Sequence, residues 1–150
     1  MVNLNDVKPH IMIVQAKFYP DIADELLLGA TTFLTQTKST WKIYDVPGVF
    51  EIAAAMSMAI KSNRRFDGFL ALGCVIRGET THYDQIVTES ARALQNLAVQ
   101  HGIALGYGIL TVENSEQAWA RAKTTEKNKG REAAQACVMM AGLRKKLGFL

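Results

Sequence analysis

The feature that most constrains the fold is an apolar run in the middle of the chain, "FDGFLALGCVI", from Phe66 to Ile76. A strand that is apolar at nearly every position is covered on both faces, as the inner strands of parallel sheets are. Parallel strands also need long crossover connections, which are usually helices. The run therefore predicts the central strand of a parallel sheet with helices packed on its two faces.

Strand and helix patterns alternate along the rest of the chain. Three more short apolar or alternating runs predict strands, and helical spacing predicts five helices, the first opening at Pro20 and the last following "NKG". The order β-α-β-α-β-α-β-α-α predicts a three-layer α/β sandwich around a four-stranded parallel sheet with right-handed crossovers. We expect residues 1–150 to form a single domain, with 1–9 as a flexible N-terminal arm.

Helix-end signals mark several of these boundaries. Gly102 is expected to close the long helix that starts near His82. Asn114 is expected to cap the following helix, with Gln117 as its reciprocal partner. Thr81 and Asp84 also fit the spacing of a capping box, which gives Thr81 a purely structural interpretation.

Composition indicates an ordinary soluble protein, with 49% hydrophobic and 21% charged residues and a net charge of +3. The basic cluster 144–146 is better explained by a helix C-terminus than by nucleic acid. Cys74 and Cys137 lie in apolar surroundings and far apart, which predicts buried thiols in a reducing compartment. With no apolar signal core and no membrane-length apolar run, we expect a cytoplasmic protein without membrane or nucleic-acid partners.

The strand-to-helix corner after Ile76 carries the most chemistry, because ligands of open parallel sheets bind beyond the carboxyl ends of the strands. Gly78 permits either a close backbone approach or a positive φ. The hydroxyls of Thr80 and Thr81, together with helix-start amides, suit an anion. His82 falls in the first helical turn, where a neutral imidazole able to accept a proton is favoured. Taken singly, His82 is better interpreted as a helix cap than as a catalyst, and Arg77 is best interpreted as half of a structural ion pair.

Four segments in register resemble the lumazine synthases (6,7-dimethyl-8-ribityllumazine synthases) of riboflavin biosynthesis, from about His10 to Leu147: "VPGVFEI", "ALGCVIRGETTHYDQIV", "GILTVENSEQAWARA" and "NKG". The resemblance implies a flavodoxin-like fold and a transferase activity. The substrates would be 5-amino-6-(D-ribitylamino)uracil and 3,4-dihydroxy-2-butanone 4-phosphate, which condense to the lumazine with loss of phosphate and water. This is the penultimate step of riboflavin biosynthesis, and it implies no metal or organic cofactor.

The resemblance also implies roles for individual residues. His82 would be the acid/base catalyst, Phe18 would stack on the pyrimidine ring, and Glu51 would accept hydrogen bonds from ribityl hydroxyls. The residues expected to contact the ribitylaminouracil are Phe18, Val49, Phe50, Glu51, Cys74, Val75, Ile76 and Tyr107. Those expected at the phosphate of the second substrate are Glu79, Thr80, Arg121 and Lys129.

A further implication of the resemblance is a homopentamer with active sites at subunit interfaces, in which Phe18 and the phosphate loop, formed by Glu79 and Thr80, come from different chains. Riboflavin synthase is a candidate partner. The segment "AKTTEKN" before Lys129 has Lys123 and Lys127 where members that form sixty-subunit shells keep glycine. We therefore expect a pentamer or decamer rather than a shell.

Tyr19 and the altered segment before Lys129 keep an alternative open, although backbone contacts can serve at the positions that depart from the family. The family commonly has Asn at the position of Tyr19 and Pro at that of Ala53. The alternative is a non-catalytic or weakly active paralogue that binds flavin or lumazine, or that serves as an oligomeric scaffold.

Overall fold

Strands and helices follow one another in the predicted order over residues 3–149, the part of the chain that the computed structural model describes. The strands are His10–Ala16 (β1), Thr40–Val46 (β2), Gly68–Ile76 (β3) and Leu105–Val112 (β4). The α-helices are Pro20–Gln36 (α1), Ile52–Lys61 (α2), His82–His101 (α3), Ser115–Ala122 (α4) and Lys129–Lys146 (α5). Short 3₁₀ turns occupy Leu4–Asp6 and Val49–Glu51, and the second of them leads directly into α2.

The four strands form one parallel sheet in the order β2-β1-β3-β4. This is the strand order of flavodoxin-like folds, and it confirms the predicted α/β sandwich. The chain runs from β1 outward to β2, then returns past β1 to β3. The direction of winding therefore reverses between β1 and β3, and their carboxyl ends flank the crevice in which such sheets bind ligands.

Alternate residues of β3 enter two separate apolar clusters, which explains why its sequence is apolar throughout. Leu70 and Leu72 pack with α1, α4 and α5 on one face of the sheet. Phe69 and Ala71 pack with α2 and α3 on the other face. The central strand is therefore covered on both sides, as its composition predicts.

Most of the predicted helix-end residues are found at the ends of helices. Gly102 closes α3 in the left-handed conformation, with φ 60°. Asn114 caps α4 by accepting from the Gln117 amide at 2.8 Å, but Gln117 Oε1 accepts from the Glu113 amide rather than from that of Asn114. The capping box predicted for Thr81 and Asp84 is wrong, because Thr81 makes no side-chain cap and Asp84 instead pairs with an arginine.

Of the predicted N-terminal arm, Met1 and Val2 lie outside the described residues. Leu4 and Val7 pack against the cluster formed with α1, α4 and α5, and Pro9 is buried at the start of β1.

Both cysteines are free and buried, as predicted. Burial raises the pKa of the Cys74 thiol from its ordinary value of 9.0 to about 11. Burial also raises the pKa of Cys137 to about 12, although its sulfur donates weakly to the Phe69 carbonyl. Neither thiol is therefore ionised near neutral pH, and neither is a nucleophile.

We expect both thiols to react slowly with Ellman's reagent at pH 8 in the native protein. A pKa near 11 leaves about a thousandth of the thiol ionised at this pH, against roughly a tenth for an unperturbed cysteine. The rate should be at least about a hundredfold below that of the guanidinium-unfolded chain, in which two thiols should titrate. Fast native modification of Cys74 would contradict its burial.

Candidate active site

The carboxyl ends of β1 and β3 meet the 3₁₀ turn Val49–Glu51 at one corner of the sheet. Gly73 makes this packing possible, because a Cβ there would lie 2.8 Å from Val49 Cγ2 and 3.1 Å from Ala16 Cβ. Any side chain at position 73 would push the turn off the sheet. The glycine thus brings the segment after β2 onto the point where the winding reverses.

Two aromatic side chains stand exposed beside this corner. Phe18 is 69% exposed and meets Tyr19 edge to face, with ring centroids 5.0 Å apart. Phe50 is 59% exposed, whereas its neighbour Val49 is buried. Exposed ring faces are costly in water and suit a planar ligand.

The Glu51 carboxylate is partly engaged within its own turn. Its Oε2 accepts a hydrogen bond from the Gly48 amide at 3.1 Å. Among the described residues its other oxygen has no protein partner, so Glu51 is held in place with one acceptor free for a hydroxyl.

The last residues of β3 offer backbone and apolar surface. Cys74 and Ile76 face the cluster formed with α1, α4 and α5, and Val75 faces the opposite one. Cys74 lies close enough to Tyr19 that burial, together with this thiol, raises the pKa of the phenol. With its thiol protonated, Cys74 can contribute packing and main-chain hydrogen bonds but no covalent chemistry.

The loop after β3 is exposed from Arg77 to His82. Thr80 Oγ1 accepts from the His82 amide at 3.3 Å and so anchors the loop to the start of α3. The φ of Gly78 is not positive, so the prediction of a positive φ there is wrong. A Cβ at this position would have no other atom within 4 Å, so the backbone of Gly78 is open to a ligand. The other predicted role of Gly78, which is to let a ligand come close to the backbone, is allowed by this geometry. His82 occupies the first position of α3, exposed to solvent beside this loop.

Arg77 forms ion pairs, as predicted. Its Nε donates to Glu113 Oε2 at 2.9 Å and its Nη1 to Asp84 Oδ1 at 3.3 Å. Its guanidinium also lies over the Tyr83 ring, 4.2 Å from the centroid. None of these three partners was identified from the sequence, although all lie inside the quoted motifs and two carry the complementary charge.

A second group of predicted residues lines a separate cleft of about 410 Å³ beside β4, α4 and α5. Tyr107 lies at its β4 wall, where partial burial and the nearby Tyr83 raise the pKa of its phenol. Arg121 donates only to the Gln117 carbonyl, at 3.1 Å, and has no carboxylate partner among the described residues. Lys129 pairs with Glu132 at 2.9 Å.

The predicted site residues therefore fall into two sets within one chain. The edge set, at the ends of β1 and β3 and around the turn between them, comprises Phe18, Val49, Phe50, Glu51, Cys74, Val75, Ile76, Glu79, Thr80 and His82. The cleft set comprises Tyr107, Arg121 and Lys129. Among the described residues, no member of the edge set lines the cleft.

Another cavity, of about 940 Å³, lies at the opposite, amino end of the strands and is lined by none of the predicted site residues. Its cations include Arg144 and Lys145, in the last turn of α5. The Nε of Arg144 donates to the carbonyl of Gly102 at the end of α3. Cations at helix C-termini complement the helix dipole, as expected for the cluster 144–146.

Within residues 3–149, no three His, Cys, Asp or Glu side chains group closely enough to hold a metal ion. None of the described helices combines the length and apolarity needed to cross a membrane.

Comparison with known proteins decides the family. The sequence profile of the family described as 6,7-dimethyl-8-ribityllumazine synthase matches residues 8–145. The chain is similar to the synthase of that name from Agrobacterium fabrum, with 51% identity over 94% of this chain and 98% of the relative. It is also similar to 6,7-dimethyl-8-ribityllumazine synthase 1 of Rhizobium meliloti, with 53% identity over 95% and 96% of the two chains.

This chain belongs to the 6,7-dimethyl-8-ribityllumazine synthase family. The match covers both residue sets and nearly all of the described fold. The resemblance inferred from the four segments is thereby confirmed.

Proposed function

We propose that this chain catalyses the condensation of 5-amino-6-(D-ribitylamino)uracil with 3,4-dihydroxy-2-butanone 4-phosphate. The products are 6,7-dimethyl-8-ribityllumazine, phosphate and water, at the penultimate step of riboflavin biosynthesis. The observation that carries the proposal is an exposed histidine beside an open, threonine-bearing loop at the switch point of the sheet, in a chain that matches the family over residues 8–145. A steady-state assay with both substrates, followed by the absorbance of the lumazine, tests it.

The residue types suit the steps of this reaction. An aryl amine and a carbonyl carbon form an imine, phosphate is eliminated, and the second ring closes. Each step moves a proton, and His82 next to the phosphate loop can give or take it. The bonds formed and broken require neither electron transfer nor a metal, so the proposal includes no cofactor.

The edge set accounts for the pyrimidine substrate. The exposed rings of Phe18 and Phe50 offer stacking surfaces for the uracil ring. Glu51, held by the Gly48 amide, keeps an oxygen for the ribityl hydroxyls. Main-chain groups of residues 74–76 complete the pocket wall. Holding two substrates in register in this way lowers the entropic part of the barrier.

The phosphate substrate needs cations that the edge set lacks. Glu79 and Thr80 form the loop, and Thr80 adds a hydroxyl. The cations lie in the cleft set: Arg121, whose guanidinium has no carboxylate partner among the described residues, and Lys129. A guanidinium offers paired donors that match phosphate oxygens. Since the two sets line different surfaces of one chain, we propose that the cleft set of one subunit completes the edge set of its neighbour.

This division differs from the expectation that Phe18 and the phosphate loop come from different chains. The two segments follow β1 and β3, which are neighbours in the sheet, and this supports both in one chain. Large apolar side chains left exposed on α2 and α3, Met58 at 70% and Val99 at 72%, support burial in an assembly.

We propose a cytoplasmic homopentamer or decamer, with riboflavin synthase as a candidate partner. The bend between α4 and α5 needs no glycine at Lys123 or Lys127, because Asn128 alone takes the left-handed conformation there, with φ 47°. The bend therefore differs from one built on two glycines, which supports the smaller assembly.

Replacing His82 with alanine should lower kcat while leaving the affinity for ribitylaminouracil nearly unchanged. Acid–base groups typically contribute about 10²–10⁴-fold, and we expect the low end because imine formation proceeds slowly without catalysis. Steady-state kinetics from pH 6 to 8 measures the change. His101→Ala, at the other end of α3, is the matched control. A His82→Ala variant equal to wild type across this range would exclude the proton-transfer role.

Arg121→Ala should raise KM for the phosphate substrate and spare binding of the ribitylaminouracil. A lost charge-assisted hydrogen bond weakens phosphate binding by roughly 1.5–3 kcal/mol. Arg92→Ala, which removes an exposed arginine paired with Glu89 on α3, is the control. An equal loss of affinity for both substrates would show that Arg121 supports the fold or the interface instead.

Mixed assemblies distinguish the two divisions of the site. Co-assembly of His82→Ala with Arg121→Ala chains should restore about a quarter of the activity, because some interfaces then combine an intact edge set with an intact cleft set. Co-assembly of Phe18→Ala with His82→Ala chains should restore none, since both residues belong to one chain's edge set. The reverse pattern would support the division between Phe18 and the phosphate loop. Sizing should give five or ten chains, and activity in a verified monomer would exclude a shared site.

A further inference from the structure

We propose that Arg77 is a positioning residue for the condensation, which holds the phosphate loop and the first turn of α3 in register with the helix that carries Arg121. The inference rests on the proposed function, in which the phosphate loop and the Arg121 of one chain serve two neighbouring shared sites, and it concerns how both sites are kept in shape. The Arg77 guanidinium is engaged with protein partners, so it acts through them.

The guanidinium joins three chain segments at once. Arg77 continues β3, and its amide donates to the Val112 carbonyl at 2.9 Å, which keeps the strand end paired with β4. Its side chain pairs with Asp84 and lies over Tyr83, the two residues that follow His82. It also pairs with Glu113, in the loop between β4 and α4.

From Glu113 the contacts continue to the phosphate-binding arginine. The Glu113 amide donates to Gln117 Oε1 at 2.8 Å, and the Gln117 amide donates to Asn114 Oδ1, which fixes the first turn of α4. Arg121 Nη1 then donates to the Gln117 carbonyl at 3.1 Å. An unbroken series of polar contacts thus runs from the turn that carries His82, through Arg77, to Arg121.

A stabilising role alone does not explain this arrangement. Exposed ion pairs contribute little to stability, and the side chains of Asp84 and Glu113 are 59% and 58% exposed. The planar guanidinium contacts two carboxylates and a tyrosine ring at once, and it therefore fixes the relative positions of these three groups. A lysine cannot make all of these contacts. The loop it anchors, Gly78–Thr80, has few other contacts: Gly78 lies in open space, and Thr80 Oγ1 bonds the His82 amide.

The test is Arg77→Met, which keeps an apolar stem and removes the fork. We expect KM for the phosphate substrate to rise and kcat to fall, with kcat/KM about ten- to a hundredfold lower, because misplacement of about 1 Å costs rates of that order. Affinity for ribitylaminouracil and assembly size should stay unchanged, and the melting temperature should move by less than about 4 °C. Arg77→Lys should recover part of the loss by pairing with one carboxylate.

Arg92→Met is the matched control. It removes an exposed arginine of α3 that pairs at 3.6 Å with Glu89 on that helix. It should leave every parameter unchanged. Glu113→Gln and Asp84→Asn each break one of the two ion pairs of Arg77. They replace Arg77→Met in the test if that variant fails to fold. Combined with Arg77→Met, Glu113→Gln should add little further loss, as expected of residues that act as a unit.

Wild-type kinetics for Arg77→Met, or a loss that follows the melting temperature and the assembly size, would overturn the positioning role. An inactive wild-type protein would instead refute the proposed function. In that case binding of inorganic phosphate decides the inference, since Arg77→Met must still weaken it and Arg92→Met must not.

Discussion

The rest of the structure depends on the burial of β3 on both of its faces. Leu70 and Leu72 are enclosed on one side, and Phe69 and Ala71 on the other, so no solvated side chain fits along the strand until its carboxyl end. Along this strand, polar side chains are thereby confined to the residues that follow Ile76. The same burial raises the pKa of Cys74 and makes the last buried position of the strand chemically inert.

Two arginines of this chain are proposed to have different roles because their surroundings differ. Arg77 meets two carboxylates and a tyrosine ring, so its charge is neutralised within the chain. Arg121 has a single backbone carbonyl as partner, and its charge faces an open cleft. An unneutralised guanidinium attracts an anion, whereas a neutralised one fixes geometry. The distinction concerns what each arginine touches and is independent of the motif in which it lies.

The separation of the edge set from the cleft set links fold to assembly. In the order β2-β1-β3-β4, Phe18, the Val49 turn and the phosphate loop converge because their strands adjoin, while Tyr107 belongs to the edge strand β4. An edge strand and the helices beside it face outward, toward any second copy of the chain. The proposed site, which needs both sets, would therefore be formed by two chains, and exposed apolar side chains such as Met58 and Val99 are consistent with their association.

The amino-acid sequence by itself determined the layered sheet, since a strand like Phe66–Ile76 has no stable place except between two layers of helices. It also determined the caps at Gly102 and Asn114 and the family, because these depend on residues that are close in the chain. Only the tertiary structure decided that Asp84 pairs with Arg77 rather than capping its own helix with Thr81, and that Arg121 lies apart from His82. Such choices depend on which segments become neighbours: the pairing of β3 with β4 brings Glu113 beside Arg77, which is 36 residues away, and Asp84 pairs with the guanidinium at the end of β3 instead of capping its own helix.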